Sequence, residues 1–204
     1  MIGICYIVGA GKFCGELCPD KQDLVIAADG GLSELNKRGI RCDLLIGDMD
    51  SLDKCEADVH RILFPVEKDE TDTYLAYLEG VKRGYTTFVI YGGVGGRDDH
   101  TFANLSLLIG AINKGHRVTL VGEQFDIFAI KNEKIHLDGK VGKTVSAFAF
   151  GGEARGVSIS GCKYPASDIT LSPLFPLGVS NSIVADSAQI EVKDGTLLIM
   201  LQRM

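Results

Sequence analysis

Three short segments of this chain combine residues that bind cations and phosphates. The first is Gly47-Asp48-Met49-Asp50-Ser51, which ends the apolar run Leu44-Leu45-Ile46. Two carboxylates two residues apart on extended backbone project to the same side, and Gly47 leaves room for a ligand to approach. Such a pair suits Mg²⁺, which takes one or two carboxylates and keeps several waters. Asp50 or Ser51 could also cap a following helix. The second segment is Glu67-Lys68-Asp69-Glu70-Thr71-Asp72. Asp69 and Asp72 share a face if a helix has begun there, and Thr71 or Asp69 can cap it. Lys68 is the residue that capping does not explain, and a cation among acids suits a phosphate. The third is Gly92-Gly93-Val94-Gly95-Gly96-Arg97-Asp98-Asp99-His100. Glycines before a helix let backbone N–H groups face an anion. Arg97 adds a bidentate phosphate contact, and Asp99 or His100 can cap the helix.

Two other glycine turns carry weaker signals. Gly9-Ala10-Gly11-Lys12 resembles a dinucleotide or P-loop fingerprint, but the third glycine is displaced to Gly15 and no Ser or Thr follows Lys12. A plain strand-ending turn is expected there. Asp29-Gly30-Gly31 follows another apolar run, and is either a helix cap or one more carboxylate for a cleft.

The elements that must position these segments read as strand–helix alternation. Strands are expected at 2–8, 24–28, 44–46, 62–65, 87–91 and 117–121, several of them β-branched without polar alternation, as in strands covered on both faces. A 3.6-residue period runs through Tyr74, Leu75, Leu78 and Val81, and again through Phe102, Leu105, Leu108, Ile109 and Ile112. It predicts helices over 71–83 and 101–113, each stopped by a glycine. This alternation specifies a parallel sheet with helices on both faces. Past Gly122 the runs become short and β-rich, and Asp194-Gly195 reads as a hairpin turn. The fold class is therefore α/β, with a Rossmann-like domain over 1–122 and a C-terminal antiparallel β-sandwich over 123–204. Ligands in open parallel sheets collect beyond the carboxyl ends of the strands, where the acidic and glycine-rich segments fall.

Charge narrows the partners. The chain has 204 residues, 46% of them hydrophobic, and a net charge of −6. Ten acidic residues lie between Asp43 and Asp72. Such a cluster repels nucleic-acid backbone and anionic lipid but suits hard cations, so neither nucleic acid nor membrane is expected as a partner. The six cysteines show no CxxC pair and no compact disulfide framework. The N-terminal apolar run has no basic leader and is too short to span a bilayer, so the expected location is the cytoplasm.

Taken together, Ala28-Asp29-Gly30-Gly31, Gly47–Ser51, Asp69–Asp72 and Gly92–His100 resemble the thiamine pyrophosphokinase family in order and spacing. Gly161-Cys162-Lys163-Tyr164-Pro165 and Gly178-Val179-Ser180-Asn181 look like that family's C-terminal signatures. The resemblance implies Mg²⁺ held by Asp48, Asp50 and Asp72, and thiamine contacts near Ser180 and Asn181. From the residues themselves, nucleotide or phosphate contacts are expected at Asp29, Gly30, Lys68, Gly95, Gly96, Arg97 and His100, with Asp72 or Asp99 as acceptor of the hydroxyl proton. The resemblance also implies a homodimer, with thiamine bound between subunits. The chain departs from the pattern at Met49, in Leu171–Leu177, and in having no tryptophan to set against the thiamine ring. The rival readings are a pyrophosphokinase for another small alcohol, such as a hydroxymethylpterin, and a non-catalytic thiamine or nucleotide sensor. If two of those carboxylates hold the metal, Asp48→Asn or Asp50→Asn should each slow turnover by roughly 10²-fold. Normal turnover at saturating Mg²⁺ in steady-state kinetics would remove the assignment.

Overall fold

The computed structural model describes residues 3–47, 61–63 and 69–203. Asp48, Asp50 and Lys68 lie outside the described residues. The chain divides into two units, Met1–Leu107 with Gly115–Glu123, and Leu108–Lys114 with Gln124–Met204.

In the first unit the continuous apolar runs become parallel strands: β1 (Cys5–Val8), β2 (Leu24–Ala28), β3 (Leu44–Gly47), β4 (Arg61–Leu63), β5 (Thr87–Tyr91) and β6 (Arg117–Val121). Their order is β4-β3-β2-β1-β5-β6, and all the neighbouring pairs are parallel. Every residue of β2 and β3 is buried, which only a sheet covered on both faces permits. Between the strands lie α1 (Gly31–Lys37), α2 (Asp72–Lys82) and α3 (Asp98–Asn113), of which residues 108–113 count to the second unit. Leu32 and Leu35 of α1 join Val8, Val25, Ala27, Leu45 and Tyr91 in one cluster. On the opposite face, Tyr77 of α2 packs against Phe88, ring centroids 4.9 Å apart, and its hydroxyl meets His116 Nδ1 at 2.7 Å. Gly80 lets α2 sit close, because a Cβ there would lie 2.6 Å from the Phe88 ring and 2.9 Å from Cys5 Sγ.

The helix starts differ from the sequence reading in ways that matter below. Thr71 caps α2, its hydroxyl accepting from Tyr74 N–H at 3.2 Å, so Asp69 stands before the helix and does not share a face with Asp72. Helix α3 begins three residues earlier than its apolar period, because the Asp98-Asp99 pair favours a helix N-terminus. Helix α1 follows the Asp29-Gly30-Gly31 turn as its helix-cap reading allows, but with seven residues and two buried leucines it shows no period of its own.

The second unit holds β7 (Phe125–Lys131), β8 (Lys134–His136), β9 (Thr144–Ala149), β10 (Ala154–Ser160), β11 (Ala166–Leu171), β12 (Asn181–Ser182), β13 (Gln189–Glu191) and β14 (Thr196–Gln202). Two antiparallel layers form, ordered β12-β9-β14-β7 and β11-β10-β13-β8. Val145, Ala147, Leu197 and Ile199 from one layer meet Val157, Ile159 and Ile190 from the other in a single core, the hallmark of a sandwich. The α/β fold class with an antiparallel sandwich is borne out. The Asp194-Gly195 turn is a correction: β13 and β14 belong to different layers, so this turn carries the chain between layers and closes no hairpin. Gly195 sits at φ 108°, with its N–H on Asn132 Oδ1 at 2.8 Å.

Among the described residues no disulfide forms, and no helix is long and apolar enough to cross a membrane.

Gly31 offers a test of how tightly α1 is seated, since a Cβ there would lie 1.8 Å from the Val8 carbonyl oxygen. Gly31→Ala is expected to cost about 1–3 kcal/mol through overpacking, seen as a lower thermal midpoint. An unchanged midpoint would show that α1 shifts freely on the sheet.

Candidate functional site

The strand order reverses direction at β1: β2, β3 and β4 follow on one side, β5 and β6 on the other. A crevice opens beyond the strand ends at such a point, and here the two loops leaving β1 and β5 are zipped together. Gly9 N–H donates to Tyr91 C=O at 2.8 Å and Gly11 N–H to Gly92 C=O at 3.1 Å. The contact excludes side chains. A Cβ on Gly11 would lie 2.5 Å from the Gly92 oxygen, and one on Gly92 (φ 65°) 2.6 Å from the Gly9 oxygen. The turn that reads as a degraded fingerprint is thus one wall of the site, and its glycines answer to Gly92 across the crevice.

Beside this zip lies a cavity of about 260 Å³. Of the residues expected from sequence, Asp29, Asp72, Gly96, Arg97 and His100 line it. Asp72 arrives there as the first residue of α2, fixed by the Thr71 cap. Gly95 sits in the same turn at φ 78°, with open space where a Cβ would be. Gly30 takes the position before α1. Ser180 and Asn181 belong to the second unit.

Three site side chains were not anticipated: Thr73, Thr101 and Asn104. Asn104 is only 4% exposed, and its Nδ2 donates to Gly93 C=O at 2.7 Å. It ties the glycine turn to α3. Its position four residues past His100 places both on one helix face, the signal that could have found it.

Arg97 and Asp99 form a two-bonded pair, Nε–Oδ1 at 3.1 Å and Nη2–Oδ2 at 2.7 Å. The hydrogen bond from Arg97, aided by His100 N–H at 2.9 Å, holds the Asp99 carboxyl down at about 2. The pair therefore persists above that pH and is lost as pH falls through it. Both side chains are largely exposed, so its strength is limited by solvent.

Asp29 has the least usual surroundings. Its backbone is left-handed at φ 51°, its N–H is bound to Ile46 C=O at 2.8 Å, and its Oδ1 is buried with no hydrogen-bond partner among the described residues. Among those residues no group of three or more His, Cys, Asp or Glu converges as a metal cluster. The carboxylates at hand are Asp29 and Asp72.

In the second unit the two C-terminal signatures are held by close packing. A Cβ on Gly178 (φ 99°) would lie 2.2 Å from the Ala147 oxygen, and one on Gly161 (φ 71°) 2.7 Å from Ala188 Cα. Asn181, 7% exposed, spends its amide on the other signature, with Nδ2 donating to Tyr164 C=O at 2.7 Å and Oδ1 accepting from Tyr164 N–H at 3.0 Å. Ser180 is exposed, left-handed at φ 55°, with its N–H on Ser146 Oγ at 2.9 Å.

Fold and site define an α/β enzyme whose cleft is built from paired glycine turns and carboxylates, with a β-sandwich following in the chain. Residues 16–120 match the thiamin pyrophosphokinase catalytic domain and residues 132–197 the thiamin pyrophosphokinase vitamin B1 binding domain. The chain belongs to the thiamin pyrophosphokinase family, and so to the transferases. It is similar to a thiamine pyrophosphokinase of Bacillus subtilis, 24% identical over 190 residues that make up 89% of this chain and 88% of that protein. Its fold matches a crystal structure of thiamine pyrophosphokinase from Bacillus subtilis, with TM-score 0.89, 23% identity and 98% of both chains covered. It also matches that of thiamin pyrophosphokinase from Candida albicans, with TM-score 0.76, 15% identity, and 99% of this chain and 90% of that one covered.

Asn104→Leu removes the donor to Gly93 while roughly keeping volume. The change should destabilise by about 1–3 kcal/mol through the orphaned carbonyl and speed amide exchange in the turn over 92–96. Unaltered exchange there would show that another contact holds the turn.

Proposed function

We propose that the protein transfers the diphosphoryl group of ATP to the hydroxyl of thiamine, giving thiamine diphosphate and AMP. The hydroxyl oxygen forms a bond to the β-phosphorus, the bond from that phosphorus to the oxygen bridging it to the α-phosphorus breaks, and the hydroxyl proton passes to a carboxylate. The observation that carries this reading is the zipped glycine crevice, with Asp72 and Arg97 lining one cavity at the sheet's switch point. Phosphoryl transfer asks for little more than positioning and charge neutralisation, and these groups supply both.

The cavity's donors fit a hard cation, because the carboxylates of Asp29 and Asp72 and the hydroxyls of Thr71, Thr73 and Thr101 are all oxygen. In this reading Asp72, with Asp48 and Asp50 of the segment Gly47–Ser51, would hold Mg²⁺, which supplies neutralisation of phosphate charge when bound. Arg97 and Lys68 add positive charge, and the Gly95-Gly96 backbone faces the phosphates. His100 contacts the same anion. Of the two candidate proton acceptors, Asp72 lines the cavity and Asp99 does not, which favours Asp72.

Thiamine falls to the second unit. Asn181 serves there as a clamp, its amide already committed to Tyr164, and this leaves the exposed Ser180 as the polar group on offer. Leu174, Phe175, Leu177 and Val179 expose apolar surface along the preceding loop. That surface suits burial by a second copy of the chain, and so a homodimer, acting in the cytoplasm.

The deciding experiment incubates the purified protein with thiamine, ATP and Mg²⁺ and identifies the products by mass. Thiamine diphosphate and AMP are expected in equal amounts. ADP with thiamine monophosphate, or no product, would overturn the reading.

A further inference from the structure

The buried oxygen of Asp29 has so far been counted only among the cavity's oxygen donors, with no hydrogen-bond partner of its own among the described residues. An ionised carboxylate only accepts hydrogen bonds, so the partner that Asp29 lacks among the described residues is a donor or a cation. Burying a charged oxygen with neither is costly, and the local backbone is built to keep it there. Asp29 is held left-handed by its bond to Ile46, a strained state of the kind found where a side chain is aimed at a ligand. Gly47 allows this, because a Cβ there would press to 3.3 Å from Asp29 Cα.

Its place in the sheet says which donor. Asp29 stands at the carboxyl end of β2, immediately beside β1. The anion-facing groups lie to the other side of β1, on the loop leaving β5. From β2 to β5 is two strand spacings, about 10 Å. A nucleotide laid across the switch point with its phosphates on the β5 loop therefore brings its sugar to the end of β2.

We infer that Asp29 is the ribose receptor of the site: its buried Oδ1 accepts a hydrogen bond from a ribose hydroxyl and makes the cleft selective for ribonucleotides over their deoxy analogues. This rests on the reading that the cavity holds ATP. A hydrogen bond to a charged acceptor changes affinity by roughly 10- to 100-fold, and a buried acceptor left unpaired by a deoxy sugar makes rejection steep.

The test compares binding of ATP, 2′-deoxy-ATP and 3′-deoxy-ATP by calorimetry, in the wild type and in Asp29→Gly. Glycine accepts the left-handed backbone without strain, so the substitution removes only the carboxylate. The wild type should bind one deoxy analogue roughly 10- to 100-fold more weakly, and Asp29→Gly should bind all three nucleotides alike. Equal wild-type affinities would overturn the inference. So would discrimination that survives in Asp29→Gly, or a loss common to all three nucleotides and restored by raised Mg²⁺, which marks a cation ligand. Should the glycine variant fail to fold, Asp29→Asn, which also tolerates this backbone, must narrow the ratio. ATP binding without AMP formation would sink the transferase reading and leave this one standing. Failure to bind ATP at all would sink both.

Discussion

The site depends on one contact, the backbone pairing of the loop after β1 with the loop after β5. Parallel strands end their ladder where the chain turns away, and neighbouring loops ordinarily diverge at a switch point. Here two further N–H···O bonds, Gly9 to Tyr91 and Gly11 to Gly92, carry the ladder past the strand ends. They close only because Gly11 and Gly92 have no side chains. Beyond the zip, the chain leaving β1 is pinned by Phe13 stacking on Tyr91 at 4.7 Å and by Tyr91 O–H donating to Glu16 C=O at 2.8 Å. The cavity floor is thus backbone, presented at a fixed distance to whatever lies above it.

Around that floor each polar side chain is set by a different local rule. A threonine cap places Asp72, a buried amide fastens Gly93 to α3, and a left-handed residue turns Asp29 inward. None of the three is a long-range charge effect. The acidic balance of the chain describes its surface field, whereas the site's precision comes from hydrogen bonds to backbone, which hold geometry with little dependence on salt.

Much of this was legible in the residues. Unalternated apolar runs announced strands buried on both faces, and the 3.6-residue period marked α2 and α3. The glycine segment before Arg97 was readable because so many glycines before a helix have few structural uses. What escaped had physical reasons. Gly9-Ala10-Gly11 fails its motif as a motif, since its glycines answer to a loop 80 residues away and not to a local phosphate turn. Helix α1 is too short to show a period. Asp194-Gly195 has the composition of a hairpin, yet the layer each flanking strand joins is decided by core packing, which dipeptide chemistry does not encode. The bonding of Asn181 to Tyr164 was not legible, because buried and ligand-facing amides look alike in sequence.

The Arg97–Asp99 pair sets a condition on any anion that enters. Two of the five guanidinium N–H donors are already engaged, so an incoming group shares Arg97 with a carboxylate and does not meet an empty receptor. A monovalent anion offers Arg97 no more than Asp99 does. A phosphate chain brings several oxygens and more than one charge, and can engage the neighbouring amides at the same time. On the proposed reading the arginine therefore favours polyanions over the small anions of the surrounding salt.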